Sequence, residues 1–186
     1  VERAFFDYHL YEMPRPVTVR AHQTKQVEFL DVDSVPAEVT YELAFQDSWW
    51  SGDSTEVHPT VSVKLTNGEE QNLGMPLPAG VVRVYKADID GAAELIGESR
   101  IAHTPRDEEV ELTIGKAFDV VGEWHHVKHR VISDWTDEYD YRVEIRNHKP
   151  EPITVEVVQS GYYWGEWKVR RASAEHTRRD NRTVVF

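Results

Sequence analysis

Cysteine is absent from all 186 residues. Disulfide staples and thiolate metal sites are therefore excluded, while the compartment stays open. Long apolar runs are also absent; nothing approaches the roughly 20 consecutive residues that a membrane helix needs. Positive charge is the minor sign, with 21 Lys and Arg against 33 Asp and Glu and a net charge of −12. An acidic surface repels phosphate backbones and anionic lipid faces, so nucleic acid and direct membrane insertion are not expected. Helical periodicity is missing too. Its best candidate, Gly115 to Gly122, is too short to be a major element.

What is present is alternation with a period of two. It runs through Val17–Arg20, Val27–Leu30, Val39–Phe45, Val61–Thr66, Val82–Tyr85, Val110–Ile114, Tyr141–Arg146 and Ile153–Val157. Each run is half apolar and half polar, which predicts strands with one face on a core and one in water. The nine prolines all fall between these runs, as sheet segments require. Asp90-Gly91 predicts a tight hairpin turn, and Asn147 to Pro152 a second strand connection. About ten strands at this spacing read as an all-β fold. The expected architecture is an antiparallel β-sandwich, immunoglobulin-like in broad shape. With no cysteine staple, its packing falls to large rings: six Trp, eight Tyr and six Phe. The expected organisation is one domain over residues 1–186, with 1–58 as a possible smaller β appendage.

The chain starts at Val1 without a start methionine or targeting stretch, and ends in Val184-Val185-Phe186. It reads as an excised piece of a longer protein. The last residues are expected in a paired strand after a polar turn at Arg178–Arg182. A further strand is expected beyond them, whose loss would expose an edge.

Motifs for chemistry fail one by one. Asp88-Ile89-Asp90-Gly91 hints at a calcium loop, but Lys86 and Gly97 stand where carboxylates are needed. His125 and His129 have the spacing of a zinc helix, yet His126 replaces the required Glu. On a strand those two histidines lie roughly 13 Å apart. Gly97-Glu98-Ser99-Arg100-Ile101 misses the nucleophile elbow at its last position. No catalytic residue, cofactor or metal ligand is therefore predicted. The remaining signal is aromatic: Trp49 and Trp50 in one loop, and Tyr163, Trp164 and Trp167 near another. Consecutive aromatics cannot all face one core, so some are expected at a binding surface or under loops.

Three stretches carry a family resemblance. They are Gly74-Met75-Pro76-Leu77-Pro78-Ala79-Gly80-Val81-Val82-Arg83-Val84-Tyr85, then Leu95 through His103-Thr104-Pro105 to Val110, then Gly115-Lys116-Ala117-Phe118. Tyr8-His9-Leu10-Tyr11, Gln23–Val27, Arg146–Lys149 and Ile153–Val157 add to them. Together they resemble the C-terminal domain of bacterial mucoidy-inhibitor-like proteins, a domain family of unknown function. The sequence departs from that pattern at Glu123–His129 and in the aromatic run Tyr162–Trp167. The resemblance implies a bacterial envelope-associated protein, located in the envelope or periplasm, and implies no activity. The expected role is a non-enzymatic structural or protein-interaction module. Two alternatives stand beside it. One is a carbohydrate-binding module using the five aromatics and a polysaccharide partner. The other is a hydrolase completed by a preceding part of the chain.

Overall fold

The computed structural model describes residues 2–6, 8–13, 15–28, 30–46, 54–161 and 166–186. The first strands are β1 (Glu2–Phe5), β2 (Tyr8–Tyr11), β3 (Glu38–Gln46), β4 (Ser54–Val57) and β5 (Thr60–Thr66). Next come β6 (Gly80–Ala87), β7 (Ala93–Ile101), β8 (Glu109–Lys116), β9 (Val120–Ser133) and β10 (Thr136–Asn147). The last are β11 (Glu156–Ser160), β12 (Thr177–Arg178) and β13 (Thr183–Val185). Among the described residues the only helical turn is a 3-10 turn at Glu69–Gln71. The fold is all-β and sandwich-like. Its sheets are the pairs β1-β2 and β6-β7, a three-stranded sheet β10-β9-β4, and a six-stranded sheet β12-β13-β11-β3-β5-β8.

Several segments differ from expectation. Val17–Arg20 and residues 27, 28 and 30 are not strands. Between the two runs the chain turns at residues 21 and 22, with Gln23 N–H donating to Arg20 O at 3.1 Å. Alternation supplies a face but not a partner, and a strand needs both. As expected, Gly115 to Gly122 is no helix; it holds the end of β8, a tight connection and the start of β9. The run at Ile153 enters a strand only at Glu156. The pairing of β3 with β11 is parallel, with Leu43 opposite Val157. The Asp90-Gly91 turn does close the β6–β7 hairpin. Asp88 N–H donates to Ala92 O at 2.8 Å, and Gly91 takes φ +83°, a conformation that favours glycine.

The chain forms two compact units. The first comprises Val1–Glu38, Lys64–Val82 and Ser99–Leu112. Its organiser is Asn67, whose side chain is fully buried. The amide Nδ2 donates to Met75 O at 2.8 Å and Pro105 O at 2.9 Å, and Oδ1 accepts from Gly74 N–H at 3.2 Å. Its main chain pairs with Glu108 O and Asp107 N–H. A bridge between Leu77 and Thr104, and Ala79 N–H on His103 Nδ1 at 3.2 Å, complete this junction. Gly74, Met75 and the sequence-distant Pro105 thus meet around one satisfied amide.

The second unit comprises Val39–Val63, Arg83–Glu98 and Thr113–Phe186. Its core joins Leu43 and Phe45 of β3 to Trp124 of β9, with Val57, Tyr141, Val143, Val155 and Val157 packed around them. Gly122 lies directly against the Leu43 side chain, so a Cβ there would overlap it. The Trp124 and Tyr141 rings stack at 4.9 Å. Lys149, in the β10–β11 connection, donates to Tyr41 Oη at 2.7 Å. As expected, the chain end is a paired strand: Val185 lies opposite Val158, and Phe186 exchanges two backbone hydrogen bonds with Val157. The exposed edge is not found there. β13 lies between β11 and β12, because Arg178–Arg182 turns back and lays Thr177 and Arg178 along it.

Candidate functional site

The longest elements are β9 and β10, a hairpin whose register carries two bulges. From Gly122 to His125, β9 also pairs with β4. Past His125, no described strand covers that side of β9. One bulge falls where Tyr141 faces His126 and Asp140 faces Lys128, leaving Val127 as the extra residue. A bulge reverses the alternation beyond it. Before it, Trp124 and His126 share the core face with Tyr141, and Glu123 and His125 point away. After it, His129 returns to the core-side face, where its ring stacks on Tyr139 at 4.5 Å and 2°.

On that face an aromatic row leads outward from the core through Trp124, Tyr141, His126, Tyr139 and His129. The Tyr139 and Tyr141 rings lie within 4° of parallel, 6.1 Å apart. His129 Nε2 lies 2.9 Å from Asp137 Oδ1. The Trp124 Nε1 and His126 Nε2 atoms are shielded from water without hydrogen-bond partners.

The opposite face is charged. Glu144, Glu123 and Glu56 stand in one row across β10, β9 and β4. Arg146 lies beside the row and donates to Glu123 Oε2 at 2.9 Å and Glu56 Oε2 at 3.1 Å. Arg142 Nε lies 3.1 Å from Glu144 Oε1. The Arg146 hydrogen bond, with help from the charges of His125 and Arg142, holds the Glu123 carboxyl below its ordinary range against partial desolvation. Further along, Arg130 lies 2.9 Å from Glu138 and 3.3 Å from Asp140.

The hairpin's far end exposes several apolar side chains to water. Trp135, in the turn, is 95% exposed and Val131 71%; Val127 and Ile132 are exposed as well. None of these residues stood out in the sequence. The only available signal was a Trp next to Asp134 between two alternating runs, which is a turn pattern with an apolar tip.

The residues that did stand out fare differently. Trp49, Trp50, Tyr163 and Trp164 lie outside the described residues. Trp167 is half-buried, with its ring edge against Gly161 and the Arg178 guanidinium 5.9 Å from the ring centroid. His125 and His129 are on opposite faces of the hairpin and form no shared site, because the bulge falls between them. Ser99 sits within β7, with no helix after it.

No family model, curated protein or solved structure matches this chain.

Proposed function

We propose that this chain is a non-enzymatic interaction module of a bacterial envelope-associated protein, and that it docks a partner protein through the far end of the β9–β10 hairpin. The observation that carries this reading is the exposure of Trp135 in the β9–β10 turn, with Val131, Ile132 and Val127 exposed along the strand that leads to it. Single exposed apolar residues are ordinary, but a nearly fully exposed Trp at a hairpin turn is the residue type most enriched at contact surfaces. Docking there would remove these side chains from water, at about 25 cal/mol per Å² of apolar area. The envelope setting is supported by the resemblance to mucoidy-inhibitor-like proteins, carried by the motifs quoted above.

The test is a photo-crosslinking residue placed at position 135 of the chain produced in its native cell, with position 89 as the control. Ile89 is the fully exposed tip of the other long hairpin. The expected result is a discrete protein adduct from position 135 alone, lost when Val131→Lys is added. Equal adducts from both positions, or none from position 135, would overturn the reading. Binding to purified polysaccharide that disappears in Trp135→Ser would replace it with carbohydrate recognition.

A further inference from the structure

Three glutamates side by side across neighbouring strands repel one another. Arg146 and Arg142 relieve that repulsion, but each guanidinium reaches one side of the row. Arg146 takes Glu123 Oε2, and Arg142 takes Glu144 Oε1. The second oxygen of Glu123, Oε1, turns to His125 Nε2 at 3.6 Å, too long for a hydrogen bond. His125 Nε2 is itself shielded from water and has no hydrogen-bond partner. A buried nitrogen with no partner is costly, and here it faces carboxylates.

Ligand atoms of Glu123, His125 and Glu144 all lie within 4.8 Å of one another. We propose that these three residues bind a divalent transition-metal ion of the zinc class. Metal–ligand bonds of about 2.0–2.2 Å put tetrahedral neighbours about 3.3–3.6 Å apart. The Glu123 Oε1 to His125 Nε2 separation of 3.6 Å already matches. A modest rotation of the exposed Glu144 side chain closes the third side. One imidazole nitrogen with two carboxylates suits zinc or its neighbours. Calcium, which takes six to eight oxygens, is poorly served. The register of β9 and β10 fixes Glu144 opposite Glu123, so two of the ligands start from a held backbone. Arg142 on Glu144 Oε1 and Arg146 on Glu123 Oε2 hold these carboxylates in orientation. Their positive charge also weakens the site, so the affinity expected is micromolar. Water completes the coordination shell. The site is independent of the hairpin's far end and of any docking there.

The failed pairing of His125 with His129 does not bear on this site. The fourth residue along was the wrong partner; the useful ones are two residues back and across the sheet.

The experiment is calorimetric titration of the whole chain with zinc chloride in a buffer that does not bind metal, repeated with cobalt while visible absorption is recorded. One site of micromolar affinity and a cobalt d–d band are expected. His125→Ala and Glu144→Gln should each weaken zinc binding at least tenfold, and His129→Ala should leave it unchanged. Both ligand variants change outward-facing side chains, and unchanged melting of the metal-free proteins checks that they fold. No zinc binding, or binding that survives His125→Ala, or binding lost in His129→Ala instead, would overturn the proposal.

Discussion

At the scale of single residues, stability turns on atoms that sequence pattern does not single out. Asn67 follows the apolar alternation of β5 and precedes Gly68, which reads as the ordinary end of a strand. Yet it is fully buried and holds three chain segments together through its amide. Burial of a polar group is legible only when all its partners are known, and these come from distant parts of the chain. Asn67→Ala would leave Gly74 N–H and the Met75 and Pro105 carbonyls unpaired. Each orphaned buried group costs about 1–3 kcal/mol. The expected loss is therefore on the order of 3 kcal/mol, read as a lower midpoint in urea denaturation at unchanged slope. A loss under about 0.5 kcal/mol, the range of neutral surface changes, would show that the amide is dispensable. Gly74 belongs to the same junction: at φ +92° its position leaves no room beside the Glu69 backbone for a Cβ. The aromatic residues were the stronger signal in the sequence. Of these, Trp167 is packed against Gly161 and Trp135, which attracted no notice, is in water. Residue type alone does not separate the two fates.

At the scale of elements, alternation located β3, β5, β6, β8, β10 and part of β11, and turn chemistry located several strand ends. Asp88–Ala92 is a hairpin turn and Asn147–Pro152 a connection, because Gly, Pro, Asn and Asp act through local backbone geometry. The β9 bulge was not legible. Nothing local in Val127 says that it stands unpaired, and one extra residue moved His129 to the other face. The turn between β12 and β13 was legible as Asp180-Asn181, and its mechanism is specific. Asp180 Oδ1 accepts from Arg182 N–H at 2.6 Å. That bond, followed by the Thr183 hydroxyl, holds the Asp180 carboxyl below its ordinary range. A carboxyl lowered in the folded state adds stability above its unfolded pKa and loses it as pH falls through the folded value. Lowering the pH from about 5 to about 3 should therefore destabilise the native chain more than Asp180→Asn, which keeps an acceptor but cannot titrate. Parallel stability curves for the two proteins over that window would remove Asp180 from the account.

At the scale of the whole molecule, chain order and spatial order part company. The parallel pairing of β3 with β11 brings the early segment Glu42–Gln46 beside the late segment Glu156–Ser160. Periodicity marks each as a strand but cannot say which two will meet, because pairing depends on the core they share. The first 58 residues divide accordingly. Residues 1–38 belong to the first unit and 39–58 to the second, where β3 contributes Leu43 and Phe45 to the core. Removing a buried Leu or Phe side chain costs about 2–5 kcal/mol. Removing both, with the backbone pairing of β3, approaches or exceeds the roughly 5–15 kcal/mol that holds a typical domain. A fragment comprising residues 59–186 should therefore lack a fixed core. It should show little near-ultraviolet circular dichroism from Trp124 and Tyr141, no cooperative melt, and exposed apolar surface that binds hydrophobic dye. Adding back residues 1–58 as a separate chain should restore part of the near-ultraviolet signal, since β3 can still find its place beside β11. A fragment that melts cooperatively at the temperature of the intact chain would show that β3 is an accessory to this core and not one of its centres.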